Sequence, residues 1–278
     1  MLKRAIIAAS VGLGCFPLGM AVQRLLFGTR FLRVLNYHAT PPADAAGLAR
    51  QLAFYREHFA PAGPGDLAAC LEDRLTGGRP SLLLTFDDGY RSNYDVAAPL
   101  MESHGFRGFF FVPEGLIDAD RGAADGAFAR RTGEFEPRMS WAECRDLVAR
   151  GHRVGCHSRT HIRLTDDVPA DRLADEITTA GRDMASKLGA PVEDFCWVGG
   201  EEWSYGSGAF AEIRKAGYRR VFMTNLYPVL PGSSPIWIQR TNVEASWPID
   251  DVRFYLSGVM DLAYAGKRRR LRRKLLRA

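Results

Sequence analysis

The chain has 278 residues, of which 46% are hydrophobic and 25% charged, an ordinary globular composition long enough for one large α/β domain or two small ones. Its formal charge of +5 comes from one segment: Lys267 to Arg277 carries eight of the 37 basic residues and no acid, leaving 29 basic residues against 32 acidic ones elsewhere. That distribution excludes a basic nucleic-acid groove across the body. Five widely spaced cysteines without a C-x-x-C exclude a disulfide framework and a thiolate zinc site.

The first predicted element is an uncharged run of 18 residues, Ala5 to Val22, near the minimum for a membrane span. Gly19-Met20-Ala21, just after Pro17 read as a helix breaker, equally suits signal-peptide cleavage, and an internal core helix is the third reading. Lys3 and Arg4 flank one end and Arg24, Arg30 and Arg33 the other, so the positive-inside count assigns no side. Residues 1–28 are read as an anchor or signal segment, 29–262 as the main domain and 263–278 as a basic tail.

Strand patterns follow at Phe31 to His38, Ser81 to Phe86, Gly108 to Val112, Arg153 to Ser158, Asp194 to Val198, Arg219 to Thr224 and Ile236 to Val243. Helical patterns fall between most of them: Gly47 to Phe59, Pro99 to His104, Ser140 to Arg150 with Ser140 as N-cap, Ala170 to Leu188, and Ser207 to Ala216 with Gly217 as the stop. Alternation of this kind means crossover connections and a parallel sheet, and seven strands predict an α/β fold closed into a barrel or nearly so. Asp118 to Arg138 has no period and reads as a substrate loop, a lid or an insertion. In the tail, Leu271, Leu275 and Leu276 recur at helical spacing among arginines. They suit a helix lying on anionic lipid, with a solvated tail as the alternative. The two ends together predict membrane association, favouring the cytoplasmic face.

Reactive groups of such a barrel gather at the carboxyl ends of its strands. The run "LLLTFDDGY" ends there on Asp87 and Asp88, adjacent carboxylates that repel unless a cation or donor holds them. An ordinary Asp-Gly turn is the bland alternative. The run "RVGCHSRTH" ends on His157 and His161, four residues apart. Two imidazoles and one carboxylate complete a divalent-metal site with coordination positions left open, whereas isolated structural histidines are the alternative.

These two runs resemble the polysaccharide deacetylases with the NodB homology domain, metal-dependent hydrolases that remove acetyl groups from sugars. "TFDDGY" is similar to the family's first motif and "HSRTH" to its second, H-(S/T)-x-x-H, and the general pattern covers roughly Leu32 to Leu256. The resemblance implies a distorted seven-stranded (β/α) barrel, with Asp87 as catalytic base and Asp88, His157 and His161 as ligands of a divalent metal, zinc foremost. A bound ion would acidify its water and polarise the acetyl carbonyl. Consecutive aspartates then have a reason: one holds the cation, and the other reaches the nucleophile.

Later family elements are altered. Where many members read R-x-P-Y-G, this chain reads "CWVGG", Cys196 to Gly200, so an oxyanion donor would be a backbone N–H around Gly199. No histidine follows His161. The circularly permuted poly-N-acetylglucosamine deacetylases carry the general-acid histidine at the end of the first strand instead, which makes His38 in "LNYH" the candidate acid, with a structural histidine as the alternative. Arg240 is a candidate for the missing arginine that pairs with the base, with a surface residue as the alternative. Trp197, Phe109 to Phe111, Trp203 and Tyr205 are candidate sugar-stacking rings or core residues. The expected substrate is an N-acetylated hexosamine, polymeric or lipid-linked. The alternatives are an inactive carbohydrate-binding or assembly subunit and a deformylase or amide hydrolase on a small sugar.

Overall fold

In the computed structural model, which describes residue 7 and residues 9–118 and 136–276, the apolar runs become strands and the amphipathic runs the helices between them. In chain order the elements are α1 Cys15–Phe27, β1 Leu32–Tyr37, α2 Ala45–His58, β2 Ala60–Pro61, α3 Pro64–Leu71, β3 Ser81–Phe86 and α4 Ala98–Ser103. Then come β4 Gly108–Val112, α5 Trp141–Ala149, β5 Arg153–Cys156, α6 Ala170–Ala174, α7 Ala180–Leu188, β6 Asp194–Cys196, α8 Ser207–Lys215 and β7 Arg220–Met223. The chain closes with β8 Ile238–Gln239, β9 Thr241–Asn242, α9 Ile249–Leu256, α10 Val259–Ala263 and α11 Ala265–Leu275. A wider π turn at Asp175–Thr179 joins α6 to α7, so the predicted helix Ala170 to Leu188 runs through without a break. Ser140 caps α5 as its spacing to Glu143 predicts, its hydroxyl accepting from the Glu143 N–H.

Every strand pairing is parallel, in the order β8-β7-β6-β5-β4-β3-β1-β9, with the two-residue β2 beside β3. The seventh predicted strand is split. β8 pairs with β7 through Phe222↔Ile238, β9 pairs with β1 through Asn36↔Asn242, and Arg240 stands between them. That single stave therefore crosses from one edge of the sheet to the other and closes the α/β barrel. A single registered pair, Cys156↔Phe195, joins β5 to β6, and there the barrel is most distorted.

Burial on both faces explains why the strands read as nearly continuous apolar runs. Leu32, Val34, Leu83, Phe109, Phe111 and Phe222 fill the interior, while Leu35, Leu82, Leu84, Phe110, Phe195 and Val221 pack outward against the helices. Phe109 and Phe111 lie 5.1 and 4.8 Å from the Phe222 ring, so this aromatic run is core and offers no sugar platform.

The described parts of both chain ends pack onto the body of the fold. Pro17 lies in the first turn of α1 and does not end it, because a proline there removes only an N–H that has no partner within the helix. The helix begins after Gly14, whose φ of 78° makes the turn, and runs on to Phe27. At Gly19 it touches α9 so closely that a Cβ would collide with the Ser257 carbonyl. No helix among the described residues is long and apolar enough to cross a membrane.

The basic segment is no solvated tail. Leu271 and Leu275 are buried against the barrel and do not face lipid. Arg270 pairs with Glu202 at 2.8 Å, Lys274 with Asp166 at 2.7 Å, and Arg268 donates to the Asn225 and Leu226 carbonyls. The loop expected at Asp118 to Arg138 lies mostly outside the described residues.

Candidate active site

The DDG corner places the two carboxylates in different surroundings. β3 ends at Phe86, and Asp88 and Gly89 then adopt left-handed backbone, φ 71° and 69°. Glycine suits the second position for two reasons: the conformation itself, and the Ile117 Cδ1 that would stand 2.9 Å from any Cβ. The turn sends Asp88 toward β5 and leaves Asp87 over the barrel interior.

At the end of β5 a second strained turn, with Ser158 and His161 at φ 65° and 56°, folds the two imidazoles toward Asp88. Asp88 Oδ1 lies 2.8 Å from His161 Nε2 and 3.3 Å from His157 Nε2. His157 Nδ1 is 2.9 Å from the Cys196 carbonyl oxygen, which can only accept, so Nδ1 carries a proton and Nε2 is the ring nitrogen turned to the site. Asp88 Oδ1 is buried without an N–H aligned to it, and the three ligand atoms lie within 4.8 Å of one another. Two imidazole nitrogens and one carboxylate oxygen so placed are a donor set that would hold a divalent cation. Burial opposes ionisation of Asp88, but His161 and His157 outweigh it and hold its pKa well below the usual carboxylate range.

Asp87, His157 and Cys196 form a second group at similar spacing. It fits a metal less well, because burial keeps the Cys196 thiol protonated and Asp87 is already occupied. Arg240 Nη1 and Nη2 each donate at 2.7 Å to the two Asp87 oxygens, with both side chains buried. Burial alone would raise the Asp87 pKa. The Arg240 guanidinium, with His157, reverses this and leaves the group below its ordinary value. Arg240 is thus no surface residue: it reaches Asp87 from the last stave, and Cys196 Sγ lies 2.8 Å from its Nη2.

His38, at the end of β1, lines the same cavity of about 320 Å³ as Asp87, Asp88, His157, His161 and Gly199. Its Nδ1 lies 3.4 Å from Glu244 Oε1. Partial burial opposes its charged form, but Glu244 and the two aspartates overcome that and raise the pKa to about 9. Gly199 has a φ of 82°, and its N–H has no backbone acceptor among the described residues, as an oxyanion donor requires.

Trp197 is at the cavity wall, but its ring is buried and edge-on to Tyr205 and Phe195, which is the core placement rather than the sugar-stacking one. Tyr205 is likewise buried, whereas Trp203 is more than half exposed beneath Arg163. Glu244, Asn242 and Asn36 went unnoticed in the sequence. Arg240, Asn242 and Glu244 recur with the period of a strand, and that alternation is the signal that projects all three toward the barrel mouth.

The family model for polysaccharide deacetylase matches residues 74–221, more than half of the chain. The chain belongs to the polysaccharide deacetylase family. Solved structures agree on the fold. IcaB from Ammonifex degensii superposes with a TM-score of 0.67 at 22% identity, covering 83% of this chain and 97% of that one. The Streptococcus pyogenes deacetylase PplD, solved in complex with acetate, gives 0.65 at 16% identity over 81% and 98% of the two chains. The deacetylase domain of BpsB from Bordetella bronchiseptica gives 0.63 at 18% over 77% and 96%. No curated protein sequence matches the chain. Family membership carries deacetylase activity on carbohydrate as its general expectation, and the TFDDGY and HSRTH runs meet at one point of the polysaccharide deacetylase fold.

Proposed function

We propose that this deacetylase is a metal-dependent hydrolase that removes the N-acetyl group from an N-acetylhexosamine in a polysaccharide or lipid-linked saccharide. The observation that carries the reading is the convergence of Asp88, His157 and His161 beside an Asp87 kept ionised by Arg240. A divalent cation, zinc foremost, held by the first three would supply Lewis acidity to the acetyl carbonyl and to the attacking water. Asp87 takes the proton from that water, a role that needs a free carboxylate at neutral pH and is worth about 10² to 10⁴ in rate. The Gly199 N–H faces the oxyanion as the carbonyl turns tetrahedral. His38, held protonated by Glu244, gives its proton to the departing amine.

The inactive-subunit alternative rested on the degraded third motif, which lacks the arginine, the proline and the tyrosine; against it, Arg240 supplies a guanidinium to Asp87 from the last stave. The proposal includes association with a bacterial-type inner membrane, on its cytoplasmic face, supported by the apolar and basic ends of the chain. The test is acetate release from N-acetylglucosamine oligomers and from lipid-linked N-acetyl sugars, by zinc-loaded and chelated protein. Acetate should appear with the loaded protein alone. Release only of formate from N-formyl sugars, or no product from the whole panel, would overturn the reading.

A further inference from the structure

α1 is apolar on two faces and buries one. Phe16 and Met20 pack into the core, and Gln23 is fixed by Arg33 and the Leu256 carbonyl. On the other face Leu18, Leu25 and Leu26 are 66%, 85% and 66% exposed, where a helix on the surface of a soluble protein normally carries polar residues. α10 extends this patch with Leu262, 80% exposed, and Val259, about half exposed. A groove of about 480 Å³ runs between the two helices, lined by Leu18, Val22, Leu26, Val259 and Leu262, with Arg268 also on its wall.

The unpaired charge beside the groove is positive, since the one carboxylate on its wall, Asp261, is paired with the buried Arg33. Arg269, Arg272 and Arg273 recur on the outward side of α11, all exposed, and none has an ion-pair partner among the described residues, unlike Arg270 and Lys274. The catalytic cleft reaches the same helices from the other side. Ala263, Tyr264 and Lys267 line a cavity of about 560 Å³ that shares Gly200, Glu201, Thr224 and Asn242 with the catalytic one. One short helix thus separates the cleft from the apolar groove.

We propose that the outer face of α1 and α10, flanked by the α11 arginines, docks in the plane of an anionic phospholipid bilayer. The cleft is then presented to a saccharide carried at that surface, a consequence that rests on the hydrolase reading, whereas the docking does not. Thirteen helical residues span roughly 20 Å, short of the roughly 30 Å hydrocarbon core, and the inner face of α1 is committed to the barrel. Insertion parallel to the surface satisfies both constraints. A second copy of the chain is the poorer occupant, because an isologous contact would bring the unpaired arginines of two molecules together, whereas lipid phosphates neutralise them.

The experiment is flotation of the full chain with vesicles of phosphatidylcholine alone or mixed with phosphatidylglycerol. Wild type should float with the mixed vesicles, far less with phosphatidylcholine, and less as salt rises. At about fivefold in partitioning per arginine, R269Q/R272Q/R273Q should weaken binding about a hundredfold. L18N/L25N/L26N should abolish it, with melting temperature and acetate release from soluble oligomers unchanged. The proposal is overturned if wild type stays unbound to both vesicles, or if the leucine variant floats like wild type. It is also overturned if wild type is a dimer without lipid and the leucine variant a monomer, which would make a second copy the occupant. Flotation as expected with no acetate from any substrate would leave the docking standing and remove the hydrolase reading.

Discussion

Replacing Arg240 with Met isolates what the last stave contributes. The side chain holds both Asp87 oxygens at 2.7 Å with neither partner meaningfully exposed, so its loss leaves an uncompensated buried carboxylate. Breaking a buried pair in this way costs about 3–5 kcal/mol. For a chain of this size that is a fall in Tm of about 6–20 °C, at 2–4 °C per kcal/mol. The pH dependence has a definite sign. Asp87 is held below its ordinary value, so its contribution to stability is complete above the unfolded-state pKa and disappears as pH falls through the folded one. The deficit of R240M should therefore be full at neutral pH and shrink in acid. Without the guanidinium the acid limb of kcat/KM should move to higher pH, because burial then acts on Asp87 with less opposition. R240M/D87N, which removes both charges, should regain much of the lost stability while remaining inactive. Thermal melting and pH-rate profiles of the three variants read these effects. An acid limb that stays in place in R240M would refute the assignment of Arg240 as the residue that keeps the base ionised.

At the other end of the pH profile, activity should fall as His38 loses its proton, toward a pKa of about 9, and E244Q should bring that basic limb down toward the ordinary histidine range. H38A should slow hydrolysis most for amides with poor leaving amines; an unchanged dependence on the leaving group would remove His38 from proton delivery. Gly89→Ala places a Cβ at a left-handed φ and 2.9 Å from Ile117, which should cost about 1–2 kcal/mol for the conformation alone. It should also loosen the metal by shifting Asp88, and unaltered zinc affinity would show that the corner does not position that ligand.

The fold was legible because both faces of its strands are buried, which turns each into an apolar run that local pattern reading detects. All seven predicted strands are present, and the break in the last is marked by Arg240, a charged residue inside an apolar pattern. The candidate metal-binding group of Asp88, His157 and His161 was legible because its histidines share one turn and its aspartate a motif. What escaped depends on partners distant in sequence. The basic end looks like a tail until Glu202 and Asp166 are seen to meet Arg270 and Lys274. Leu271 and Leu275 show the spacing of an amphipathic helix, but spacing alone does not say whether barrel or lipid covers it. Trp197 stayed open between stacking ring and core residue for the related reason that strand-end aromatics near a cleft can turn inward. Glu244 was missed because its meaning comes from His38, which the barrel closure brings beside it.

The most direct test of the division of labour between the consecutive aspartates is the metal content of D88A and D87N, measured by elemental analysis alongside acetate release. D87N should retain the bound ion and lose turnover, and D88A should lose the ion itself. Loss of metal from both variants alike, or an ion retained by D88A, would contradict the account.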